Sequence, residues 1–492
     1  MTDYILRGGT VIDGTGAPRF RGDVAISGDR IAAVGPSAKE VARSAGAREI
    51  DASGKIIAPG FIDVHTHDDR ALLASPEMAA KASQGVTTVI TGNCGVSLAP
   101  LTLDRGPPPP LDLIGDAADY AYPRFADYLA ALDKSPPAIN AACLVGHSTL
   151  RVGTMAELDR AARADEIARM AERLQEALDA GAIGLSSGLY YAPAFHAPPA
   201  EIEALAARLR PAGALYTTHM RDEAEHVEES LDESFHVGRA AQVPVVISHH
   251  KTTGVANFGR TAETLPKIAA AMRGQEIGLD CYPYIASSTV LRTERIKDAL
   301  KVLITWSKAA PEQAGRELAD IARDWGVGIL EAAERLQPAG AIYWMMDEGD
   351  VRRVLAFPHT MIGSDGLPHD IHPHPRLWGT FPRVLGHYCR EIGLFGLETA
   401  VHKMTGLSAA RFGLTGRGIV AAGAYADLTV FDPDTIIDRA TFADPTLPAA
   451  GIEHVFVNGR PVWSLSQPTG ERPGRALRRQ QMQAEAWPVS PR

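Results

Sequence analysis

Cysteine is scarce: Cys94, Cys143, Cys281 and Cys389 are the only four in 492 residues, and no two form a Cys-x-x-Cys pair. A disulfide framework or a four-cysteine zinc ribbon is therefore excluded. Apolar runs are short, none nearing the roughly 18 residues that span a bilayer. The first residues lack a basic segment followed by an apolar one, so neither a membrane span nor a secretory leader is expected. Positive charge is in deficit, with 49 Lys and Arg against 59 Asp and Glu and a net charge of −10. Nucleic-acid binders normally carry a basic surplus, and that class is set aside. The expectation is a cytoplasmic metabolic protein, a monomer or small homo-oligomer, whose partner is a small molecule.

The rest of the composition is that of a globular chain, 45% hydrophobic and 22% charged. At about 150 residues per domain its length allows about three domain-sized units, or one large barrel with smaller satellites. The first sixty residues read as short strands between turns, such as Tyr4-Ile-Leu-Arg and Arg30-Ile-Ala-Ala-Val. The same texture returns in Ala426-Asp-Leu-Thr-Val-Phe and His454-Val-Phe-Val. Two such pieces at opposite ends can pair into one small sandwich.

Between them, eight short strand candidates alternate with helical patterns, most clearly over 157–180 and 222–241. The candidates begin at Gly60, Thr87, Ala141, Ile183, Leu215, Val245, Gly278 and Thr360. Eight such alternations predict an α/β fold, a (β/α)8 barrel whose active site lies at the C-terminal ends of its strands. The expected division is sandwich over 1–60, barrel over 61–414 with 285–357 as an insertion over its mouth, sandwich again over 415–465, and a tail over 466–492. That tail is polar and Arg-rich, a terminal helix or a frayed end, and carries no assigned function.

The chemistry concentrates at strand ends. In His65-Thr-His67, residues i and i+2 of a strand point the same way, so two imidazoles can face one point. Cys94, His219, His249 and Asp365 end other predicted strands, and a barrel gathers such ends into one ring. Thiolate, imidazole and carboxylate form the zinc donor set. His250 alternates to the opposite face from His249 and reads as packing.

These strand-end residues, bracketed by Ala58-Pro-Gly-Phe-Ile-Asp-Val-His-Thr-His and Gly423-Ala-Tyr-Ala-Asp-Leu-Thr-Val-Phe-Asp, resemble the amidohydrolase superfamily. The match narrows to the D-aminoacylases, the N-acyl-D-amino-acid deacylases. Its signatures stand here as Gly92-Asn-Cys-Gly, Val145-Gly-His-Ser, Thr218-His-Met-Arg-Asp-Glu, Ser248-His-His-Lys, Asp280-Cys-Tyr-Pro-Tyr, Gly363-Ser-Asp-Gly and Pro373-His-Pro-Arg. The resemblance implies a metal-dependent hydrolase of N-acyl-D-amino acids. Cys94, His219 and His249 would hold a tightly bound zinc. His65, His67 and Asp365 would line a second, weaker position, bridged by Cys94 where many relatives use a carboxylated lysine. Asp365 would be the general base, passing a proton from water to the leaving amine.

The resemblance further implies that Lys251, Tyr282 and Arg376 bind the substrate α-carboxylate, and that Tyr343 and Met346 line the side-chain pocket. Near that pocket Arg292-Thr-Glu-Arg-Ile-Lys297 is basic where relatives taking apolar D-amino acids carry more apolar residues. Arg295 then either reads an acidic side chain such as that of D-glutamate or belongs to a solvated helix face. Two other activities compete. Gly184-Leu-Ser-Ser-Gly188 fits a G-x-S-x-G serine hydrolase using Ser186, although that motif needs a helix directly after it. A cyclic-amide hydrolase of the dihydropyrimidinase kind would share the fold, but Cys94 stands where its lysine is expected. A scaffold that has lost its chemistry is the third alternative, opposed by the presence of all six donors.

Overall fold

The structure is a computed structural model, and it describes residues 3–43 and 46–484. At its centre eight strands form a parallel barrel. These are β1 (Phe61–Asp63), β2 (Val86–Thr91) and β3, which runs as Asn140–Cys143 and then Val145–Gly146. They continue as β4 (Gly184–Gly188), β5 (Leu215–His219), β6 (Val245–Ile247), β7 (Ile277–Cys281) and β8 (Thr360–Ile362). Parallel ladders join each strand to the next from β1 through β8. The ring closes from β8 back to β1 through a single parallel bridge, Thr66 to Gly366. Alternate strand residues Ile62, Ile90, Ala142, Val246 and Met361 form one buried cluster with Phe412, Leu414 and Leu477. The other face of the strands, including Phe61, Val89, Leu185, Ile247 and Ile362, packs with the surrounding helices.

Two expected helices are shorter than their composition suggests. The first begins at Ala164, not at residue 157. The buried Arg151 guanidinium takes the carbonyls of Leu158 and Arg160, holding that stretch in a non-helical path. Glu166 then accepts from the Arg163 amide and starts the helix. The second begins at Val227. The Asp222 carboxylate accepts the amides of Ala224 and His226, turning residues 222–226 into a loop before it.

The chain ends meet in a seven-stranded sheet in which Leu428–Phe431 runs antiparallel to Ile56–Pro59. A four-stranded sheet made from Tyr4–Arg7, Val24–Ser27, Arg30–Val34 and Arg48–Asp51 packs on it through Leu6, Ile26, Ile31, Ile57, Val430 and Phe456. Between β7 and β8 a separate three-stranded antiparallel sheet is inserted, Ala286–Val290, Lys301–Ser307 and Ala339–Trp344, with its own core around Ile304, Ile321 and Leu336. The following helix, Glu348–Ala356, packs instead on β7 and β8 and shares the barrel core through Val351 and Val354, so it is a barrel helix.

The tail is anchored rather than frayed over its described part. Ala476 bridges Ala141, Leu477 enters the barrel cluster, and 479–484 are helical. Residues 485–492 lie outside the described residues. Among the described residues no helix is long and apolar enough to cross a membrane.

Candidate metal centre

The C-terminal ends of β1, β2, β5, β6 and β8 deliver six donors to one place. Potential ligand atoms fall into two sets, each within 4.8 Å: His65, His67, Cys94 and Asp365, and Cys94, His219 and His249. The Cys94 Sγ belongs to both, 3.2 Å from His65 Nε2 and 3.3 Å from His249 Nε2. His67 Nε2 lies 3.2 Å from Asp365 Oδ1. All six residues are buried. The structure thus brings together every ligand candidate read from the sequence.

Local backbone geometry explains how short strands aim these groups. Cys94, His249 and Asp365 all sit in left-handed conformations, with φ of +53°, +37° and +51°. Non-glycine residues held there cost about 1–3 kcal/mol each and persist where the surroundings over-determine them. Here each lies just past a strand end, where the left-handed turn rotates the side chain out of the pleat and over the barrel mouth.

The donor set fits zinc by its own chemistry. Both ring nitrogens of the buried His219 lack a hydrogen-bond partner, as does Nδ1 of His67. Such orphaned buried nitrogens fit a group that would occupy them. Burial alone would raise the Cys94 thiol, but the facing imidazoles of His65 and His249 overcome it and hold the thiol well below its ordinary value. A thiolate with imidazole nitrogens matches zinc rather than magnesium. Outer carboxylates orient the ligands. Asp280 lies 3.4 Å from His65 Nδ1 and accepts the His249 amide at 2.9 Å. Glu223 lies 3.0 Å from His249 Nδ1 and 2.7 Å from Lys251 Nζ.

A cavity of about 480 Å³, open mouth included, rises from this centre and is lined by His67, Cys94, His219, His249 and Asp365 together with Lys251, Tyr282 and Arg295. Arg376 is fully buried, ion-paired with Asp365 at 2.9 Å and stacked over the Tyr282 ring at 4.5 Å. Burial would raise the Asp365 carboxyl, but Arg376 and then His67 hold it well below the usual range, so it is a carboxylate.

The insertion supplies the opposite wall through Ser287, Ser288, Thr289 and Arg295. Arg295 is only 8% exposed, which removes the solvated-face reading for that residue. Arg292 remains partly exposed, and Glu294 and Lys297 are exposed. Tyr343 stands behind Arg295, whose guanidinium lies 5.2 Å from the ring centroid, and its hydroxyl donates to the Val290 carbonyl at 3.1 Å. Met346 sits behind Tyr282, lining a neighbouring void with His250. Neither Tyr343 nor Met346 lines the main cavity.

Ser186 has no nucleophilic setting. Its hydroxyl donates to the Gly92 carbonyl and accepts the Gly95 amide, bracing the turn that carries Cys94. Sequence reasoning assigned no role to Glu223, Asp280 or Tyr191, which the structure places in or against the site. Glu223 follows His219 by four residues and Asp280 closes a predicted strand, so a search for strand-end carboxylates would have found Asp280.

Comparison with known proteins agrees with this geometry. The family model described as "Amidohydrolase family" matches residues 48–280 and 212–463. A D-aminoacylase of Alcaligenes xylosoxydans xylosoxydans is 56% identical over 477 residues, 97% of this chain and 98% of its own. An N-acyl-D-glutamate deacylase of the same organism is 49% identical over 481 residues, 97% of this chain and 96% of its own. A solved N-acyl-D-glutamate deacylase from Bordetella bronchiseptica, complexed with zinc and a phosphonate mimic of the tetrahedral intermediate, superimposes with a TM-score of 0.92 at 48% identity. That match covers 97% of this chain and 99% of the other. With its barrel, its Cys94-centred donor sets and these relatives, the chain belongs to the amidohydrolase family, in its D-aminoacylase branch.

Proposed function

We propose that the protein hydrolyses the amide bond of N-acyl-D-amino acids, releasing a carboxylate and a free D-amino acid. The observation that carries this reading is one cavity at whose base two donor sets share Cys94, with the carboxylate of Asp365 and the cations Lys251 and Arg295 on its wall, and with Arg376 buried behind Asp365 and ion-paired to it. Cys94, His219 and His249 would hold a tight zinc, and His65, His67 and Asp365 with Cys94 a weaker second one. Bound there, zinc supplies a Lewis acid and lowers the pKa of water toward neutrality.

The chain's own groups do the rest. Asp365 Oδ1 accepts the proton of the attacking water and delivers it to the amide nitrogen, which leaves as an amine only once protonated. Lys251, Tyr282 and Arg376 receive the α-carboxylate, Arg376 as a fork and Lys251 as a point charge. Lys251 is held meanwhile by Glu223. With the carboxylate and the acyl carbonyl both fixed, one direction is left for the side chain, toward Ser287–Thr289 and Arg295. The Nε of Arg295 has no partner, and a side-chain carboxylate such as that of D-glutamate would satisfy it. Tyr343 and Met346 act from behind this wall, on Arg295 and Tyr282.

In the same reading the two terminal segments, 1–60 and 415–465, form the scaffold, and the segment 285–357, less its last helix Glu348–Ala356, covers the site. Four unbridged thiols, one of them a ligand, suit a reducing compartment such as the cytoplasm. The test is amine release from N-acetyl-D-glutamate and N-acetyl-D-leucine with both L-enantiomers as controls. Release from D-forms alone is expected; release from neither enantiomer by zinc-loaded protein would overturn the assignment.

A further inference from the structure

Seven of the eight strand junctions of the barrel are parallel ladders, one of them with a register shift at Phe61/Ile62, and the eighth, between β8 and β1, is a single bridge. Its backbone contacts are the Thr66–Gly366 bridge, a 3.5 Å bond from the Val64 amide to the Ile362 carbonyl, and a 2.8 Å bond from the Asp365 amide to the His65 carbonyl. Yet this seam carries His65 and His67 on one side and Asp365 on the other. What spans it is a buried polar cluster centred on Lys81, from the short helix Ala79–Ala82.

The Lys81 ammonium is fully buried. It pairs with Asp63 at 2.7 Å and Asp68 at 3.3 Å on the β1 side, and donates to Ser364 Oγ at 2.8 Å on the β8 side. Asp63 reaches across in turn, accepting the Ser364 amide at 2.8 Å. Ser364 Oγ accepts the Gly366 amide at 3.2 Å, so both residues flanking Asp365 are tied into the cluster. A lysine in this place is costly to bury unless it is paired and hydrogen-bonded, and here it makes two hydrogen bonds, one to each side of the seam, and a further ion pair with Asp68.

We propose that Lys81 and Ser364 are positioning residues for the reaction: they clamp the β8–β1 seam and thereby set Asp365 against His65 and His67. The clamp touches neither substrate nor the donor set of Cys94, His219 and His249. It acts on the second metal position and on the general base together, because both straddle the seam. The inference rests on the hydrolase reading for its kinetic arm only.

The test uses the full chain, wild type, Ser364→Ala and Lys81→Met, with zinc per chain measured across a zinc-buffer series and kcat and KM for N-acetyl-D-amino acid hydrolysis at one zinc per chain. Orienting partners of metal ligands typically change affinity or activity by about 10–100-fold. Ser364→Ala should keep the first zinc at wild-type affinity, weaken the second about tenfold, and lower kcat about tenfold with KM nearly unchanged. Lys81→Met should exaggerate the same pattern, and Ser364→Thr, which restores a hydroxyl, should recover most of the loss. Should Lys81→Met fail to fold, Ser364→Ala decides alone. A folded Ser364→Ala with wild-type second-zinc affinity and wild-type kcat would overturn the proposal, even with a lowered melting temperature. If wild-type protein releases no amine, the hydrolase reading has failed, and the zinc series alone still decides the clamp.

Discussion

The two ends of the cavity are built differently. The metal end is made by barrel strands, with donors from five of the eight strand ends, three of them in left-handed turns. The far end is made by the inserted three-stranded sheet and the short helix Thr293–Ile296, which bring Ser287–Thr289 and Arg295 to face it. The strand ends are fixed by seven ladders and the bridged β8–β1 seam, whereas the insertion has a core of its own and can vary without disturbing that ring. In the proposed reading chemistry resides in the barrel and side-chain choice in the insertion, the usual division in a fold whose loops vary around a constant strand ring.

Substitutions at the two ends should therefore fail in different ways. Asp365→Asn keeps the shape and removes the proton acceptor, so kcat should fall by about 10²–10⁴-fold, the range of general acid–base catalysis. Steady-state kinetics on protein confirmed to hold zinc checks this, and a kcat near wild type would remove Asp365 from that role. His219→Ala takes one of three donors from the tight site. Zinc bound after dialysis against a weak chelator should drop well below one per chain, read by elemental analysis, while wild type retains it. At the other end Tyr343→Phe loses only the hydroxyl that ties Val290 and Arg292 behind Arg295. A hydrogen bond of this kind contributes about 1 kcal/mol. The expected result is a several-fold loss in kcat/KM for N-acetyl-D-glutamate, with zinc content unchanged.

The same contrast governs how much the sequence discloses. Ligands at strand ends are legible because a two-residue period and a barrel topology bring distant positions together whatever lies between them; His65, His67, Cys94, His219, His249 and Asp365 all follow that rule. Lys81 does not, since Ala79-Ala-Lys-Ala reads as an ordinary helix surface and its burial comes from Asp63, Asp68 and Ser364, which converge only in three dimensions. The helix expected from residue 157 fails for a kindred reason: Arg151, from another element, takes the carbonyls that a helix would need. Arg295 was ambiguous because a four-residue helix carries too little periodicity to say which of Arg292, Arg295 and Lys297 turns inward. Tyr343 and Met346 stand one layer behind the cavity wall, since sequence position within an insertion does not fix depth.

The division of labour is tested most directly by the ratio of kcat/KM for N-acetyl-D-glutamate over N-acetyl-D-leucine, in wild type and in Arg295→Leu. A desolvated charge-assisted contact is worth about 1.5–3 kcal/mol, or about 10–100-fold. The account predicts that the ratio falls by at least about tenfold, that activity on the D-leucine substrate survives, and that zinc content does not change. An unchanged ratio, or loss of both activities together with zinc, would contradict it.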